Sequence, residues 1–113
     1  MEIPFFTCAL PIQSDKSLEE VGEILSRVLF GGLPFGGKDK FIRDEIPAIY
    51  IDQDLIGLRV ILYGYGGEDG FILEIYPSSH IDSLQNDEYS EYKLDRYIAN
   101  ILRNVQGIKV DIE

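Results

Sequence analysis

The stretch PAIYIDQDLIGLRVILYGYGGEDGFILEIYP, residues 47–77, decides the fold. It holds three apolar runs, 47–51, 57–64 and 70–76, rich in β-branched and aromatic residues. Such runs read as strands. The breaks between them, Asp52-Gln53-Asp54 and Gly66-Gly67-Glu68-Asp69, are too short for a crossover, so the three strands form antiparallel hairpins. Side chains alternate across a strand with period 2. Ile49, Ile51, Leu58, Val60, Leu62, Phe71, Leu73 and Ile75 therefore share one face and form the core side. Tyr50, Arg59, Ile61, Tyr63, Ile72, Glu74 and Tyr76 fall on the other, joined by Lys109 and Asp111.

Working outward, residues 3–10 read as a strand ended by Pro11. Ser17-Leu18-Glu19-Glu20 fits a capping box, and Leu18, Val21, Ile24, Leu25 and Val28 recur at helical spacing behind it. This predicts a helix over 17–30, stopped by Gly31-Gly32. Residues 31–46 form a loop with an apolar Leu33-Pro34-Phe35 tip, which either tucks into the core or serves as a mobile finger. Leu94, Tyr97, Ile98, Ile101, Leu102 and Val105 predict a second helix over 88–105, ended by Gly107. Residues 108–112 alternate as a last strand. The order is β-α-β-β-β-α-β. That is the α+β class, a two-layer sandwich with a mostly antiparallel sheet and two helices on one face. No repeat, linker or low-complexity tract divides residues 1–113, so one acidic domain is expected.

The 113 residues are 45% apolar and 27% charged, values of a globular chain. Charge is distributed unevenly. Residues 44–92 hold eleven acids and one base, Arg59, and so carry the whole net charge of −10. The remainder balances at nine acids and nine bases. Such a field disfavours nucleic acid and anionic membranes and suits a basic protein partner. One cysteine, Cys8, allows no internal disulfide and fits a reducing compartment. The opening MEIPFFTCALPI lacks the basic start of a signal peptide. No apolar run approaches the roughly 20 residues of a membrane span. A cytoplasmic protein is expected.

Successive turns of a meander lie at opposite ends of the sheet. This gathers Asp52, Asp54, Asp82, Asp87 and Glu88 at one end, with Glu91 following. Acids in a first helical turn also complement the helix dipole, which accounts for Asp87, Glu88 and Glu91 without a partner. Asp52, Asp54 and Asp82 need another reason. The acids, together with Tyr50, Tyr63 and Tyr76, are the expected partner-binding residues, because tyrosine is enriched among interface anchors. The plainer reading of the tyrosine face is a solvated sheet surface with scattered aromatics.

No motif for catalysis, metal or cofactor withstands inspection. Asp52-Gln53-Asp54-Leu55-Ile56-Gly57 starts like a calcium loop, but Ile56 and Tyr63 occupy ligand positions five and twelve. Gly64-Tyr65-Gly66-Gly67-Glu68-Asp69-Gly70 has neither the lysine nor the following helix of a phosphate loop. His80, the single histidine, is flanked by Ser78 and Ser79, but loop neighbours cannot form a nucleophile–base–orienter array by themselves. Cys8 reads as a small core residue.

The acid excess of 44–92, the tyrosine-rich strands IPAIYID, LRVILYGYGG and FILEIYP, and the glycine-rich loop together resemble bacterial toxin-immunity proteins of the contact-dependent growth-inhibition and polymorphic-toxin type. The resemblance is one of overall character and transfers no individual residue. It implies a cytosolic inhibitor that covers the active site of a basic toxin domain, such as a nuclease, with carboxylates standing in for phosphates. The competing classes are a non-catalytic adaptor or regulatory subunit, and a small-molecule-binding domain.

Overall fold

The computed structural model describes residues 3–38, 46–51, 58–77 and 89–110. The predicted meander is present as β3 (Ala48–Tyr50), β4 (Leu58–Tyr63) and β5 (Phe71–Pro77). β3 pairs antiparallel with β4, and β4 with β5. Gly66 and Gly70 close the β4–β5 turn by exchanging backbone hydrogen bonds of 3.0 and 3.3 Å. Gly64 enters that turn at φ 138°, where a Cβ would stand 2.5 Å from the Gly70 carbonyl oxygen. Only glycine fits there.

The first strand, β1 (Ile3–Gln13), runs through Pro11 rather than ending at it. It pairs antiparallel with β5 along Cys8–Ile12, so it is a central strand. Its other edge explains the proline. The Thr7 carbonyl accepts from Leu94 N–H at 2.8 Å, and Ala9 N–H donates to Asp95 at 3.4 Å, so odd-numbered backbone groups face that edge. β6 (Tyr89–Lys93) covers it parallel to β1 up to Thr7, and β7 (Lys109–Val110) covers it antiparallel from Ile12 onward. Pro11 falls in the gap, where no ladder N–H is required. β2 (Gly37–Lys38) adds a strand beside β3. The order is β2-β3-β4-β5-β1-β6, with β7 on β1. All pairings are antiparallel except β1–β6.

α1 (Leu18–Leu29) begins as expected. Ser17 Oγ accepts from Glu20 N–H at 3.1 Å, and the Glu20 carboxylate accepts from Ser17 N–H at 3.0 Å. The bond from Ser17 N–H, followed by that from the Ser17 hydroxyl, holds the Glu20 carboxyl below its usual range. Replacing the cap with Ser17→Ala should cost about 1 kcal/mol of stability, read as a lower urea midpoint with unchanged slope. The second helix departs from expectation. α2 spans Asp95–Leu102, and the first residues of the predicted 88–105 helix form β6 instead. Tyr89-Ser90-Glu91-Tyr92-Lys93 has no strand alternation of its own, but the N-terminal half of β1 supplies a partner edge. Tertiary pairing outweighs the helical pattern there.

Both helices pack on one sheet face, over a single apolar cluster. Val21, Ile24 and Leu25 of α1 and Ile98, Ala99 and Leu102 of α2 meet Leu10, Ile12, Val60, Leu62, Leu73 and Ile75. Leu33 and Phe35 pack against the same cluster, Phe35 edge-on to Phe30 at 6.0 Å. The apolar loop tip is therefore tucked in. No helix among the described residues is long and apolar enough to cross a membrane.

Candidate functional site

The sheet face opposite the helices is set by β3, β4, β5 and β1. The register places Tyr50 opposite Ile61, Ile61 opposite Glu74, and Glu74 opposite Ala9. The next row is Ala48, Tyr63, Ile72 and Pro11, and Arg59 stands opposite Tyr76. The three predicted tyrosines thus occupy three neighbouring strands on one face. Tyr50 and Tyr63 are half-buried and Tyr76 is 36% exposed. The Arg59 guanidinium lies 6.0 Å from the centroid of the Tyr50 ring, within reach of a cation–π contact. This face is not a uniformly wetted surface. Ile61 at its centre is only 1% exposed, with Tyr50 beside it and Tyr63 two residues along the strand.

A concavity of about 650 Å³ continues the face toward β6 and α2. Thr7, Ala9, Glu74, Tyr76, Lys93 and Asp95 line it. One carboxylate oxygen of Glu74 is fully buried, and the Asp95 carboxylate accepts from Ala9 N–H. Asp95 serves two roles, since it also sits in the first turn of α2 and complements its dipole. Cys8 borders this hollow but is buried in the core. Burial, then the negative charge of Asp95, push its thiol up to about 12. Cys8 is therefore no nucleophile near neutral pH.

That shift has a measurable consequence. The folded thiol keeps its proton at a pH where the unfolded thiol loses it, so the contribution is complete below about pH 9. It is lost progressively as pH rises from about 9 toward 12. Urea midpoints of the wild type should fall more steeply than those of Cys8→Ala between pH 8.5 and about 10.5. Parallel profiles would contradict the assigned environment.

The predicted acids fare differently from the tyrosines. Asp52, Asp54, Asp82, Asp87 and Glu88 lie outside the described residues, as does His80. Glu91 lies in β6, in register with Phe5, and not in a first helical turn. The helix-dipole account of Glu91 is thereby corrected, and Asp95 takes that position. Sequence reasoning missed Thr7, Lys93 and Asp95 as residues of one hollow, because that juxtaposition depends on the parallel β1–β6 pair. It also missed the adjacent rings of Phe6 and Tyr92, 6.0 Å apart, because residues 89–93 carry no local strand period that could signal the pairing. No group of three or more His, Cys, Asp or Glu among the described residues could hold a metal ion. Comparison with known proteins finds no family model, no curated relative and no solved structure that matches the chain.

Proposed function

We propose that this chain binds and neutralises a basic toxin domain, possessing the character of a toxin-immunity protein and acting by steric cover. One observation supports this reading above the others. Tyr50, Tyr63 and Tyr76 share one sheet face on adjacent strands, opposite both helices, in a chain with a net charge of −10. Aromatic anchors provide desolvated contact area at little rotamer cost, while surrounding carboxylates steer a basic partner and fix its register. Asp52, Asp54, Asp82, Asp87, Glu88 and Glu91 are the acids assigned to that steering.

The test is co-expression with the product of the adjacent reading frame, which the proposal requires to be a basic toxin domain. A complex that survives purification, and growth rescue that depends on this chain, would bear the proposal out. A neighbour that is not basic, or that neither binds nor is inhibited, would overturn it.

A further inference from the structure

We infer that the open edge of β6 is a contact surface for a second copy of this chain, joined antiparallel about a two-fold axis at Tyr92. Among the described residues β6 ends the sheet order, with β1 on one side and no strand on the other. Its backbone polarity follows from one bond. Leu94 N–H donates to the Thr7 carbonyl, so the backbone groups of Ser90 and Tyr92 turn toward β1. Those of Tyr89, Glu91 and Lys93 then turn toward the open edge. An unpaired edge of this kind is a template for another strand.

The sequence of that edge selects the partner and the register. A two-fold axis makes each contact occur twice. Centred on Tyr92, it sets Glu91 of each copy opposite Lys93 of the other, both with outward backbone groups, as a hydrogen-bonded pair requires. Opposite charges directly across a ladder stabilise it. Shifting the centre to Glu91 opposes that acid to itself, which is disfavoured. The tyrosine register is thus self-complementary in charge. It also adds apolar area. Phe6 and Tyr92 are 40% and 50% exposed and stand side by side on the same face, so the axis brings two such pairs together. The strand is short, with α2 starting at Asp95, so the contact is small and the dimer reversible. It engages none of Tyr50, Tyr63 or Tyr76 and shares only Glu91 with the acids assigned to steering, so self-association of this chain alone reads it apart from the proposed function.

Sedimentation velocity on the full chain, from low micromolar to near-millimolar concentration, reads it out. The mass should rise from 12.8 kDa toward twice that value with concentration. Lys93→Glu should abolish the rise, since it places acids opposite each other twice. Glu91→Lys should do the same by opposing two bases. The exchange of both, Glu91→Lys with Lys93→Glu, should restore it. Far-UV circular dichroism and cooperative urea unfolding confirm that each variant is folded. In a Cys8→Ser background, Tyr92→Cys should give a disulfide dimer under mild oxidation, and Tyr97→Cys should not. A wild type that stays monomeric throughout, or single and double variants that dimerise like the wild type, would overturn the inference.

Discussion

Leu73→Ala will destabilise the fold by about 2–5 kcal/mol, a large share of the roughly 5–15 kcal/mol that holds a domain together. Leu73 is completely buried in β5. The register sets it between Leu62 of β4 and Leu10 of β1, both equally buried. These leucines lie in the one cluster that both helices cover. Truncating the middle one removes transfer free energy and leaves a cavity bounded by strands on both sides and helices above, which cannot collapse freely. Ile101→Ala, at the exposed rim of α2, should cost well under half as much. Urea unfolding of both variants checks the contrast. Equal losses would mean that the core is not centred on this leucine row.

Tyr76→Ala is expected to weaken the complex with a basic partner by about 2 kcal/mol or more, roughly thirty-fold, chiefly by faster dissociation. Tyr76 is the most exposed of the three tyrosines on the face, and it borders the hollow lined by Glu74 and Asp95. An anchor in that position is desolvated on binding, and truncation leaves an unfilled contact. Tyr63→Ala should act in the same direction. Tyr97 offers the control. It is 65% exposed but projects from α2, on the opposite layer of the sandwich. Tyr97→Ala should leave the dissociation rate within twofold, roughly the ±0.5 kcal/mol of an ordinary surface change. The reverse pattern would move the interface to the helices.

Where each side chain meets a period the chain states locally, the fold was legible. The meander, its two faces and α1 with its capping box follow from alternation, turn glycines and the Ser17–Glu20 spacing. What escaped depends on long-range pairing. Pro11 reads as a terminator until a gap between β6 and β7 gives its missing N–H a place. Gly37-Lys38 has no strand composition and becomes one only beside β3. Residues 89–93 carry the start of a helical pattern and are drawn into a parallel ladder by the free edge of Ile3–Thr7. The tyrosine face was legible for the same reason as the core, since one alternation sets both. The hollow beside it was not, because Thr7, Glu74, Lys93 and Asp95 are distant in the chain.

Under the proposed function, acidic charge brings a basic partner to this chain. A salt series of association rates with the partner identified by co-expression reads this out. Wild type is compared with a variant in which Asp52, Asp54, Asp82 and Asp87 are made neutral. The wild-type rate should fall steeply with ionic strength, and the variant should start slower and vary little, the two converging at high salt. Equal rates at low salt, with equal slopes, would contradict the account.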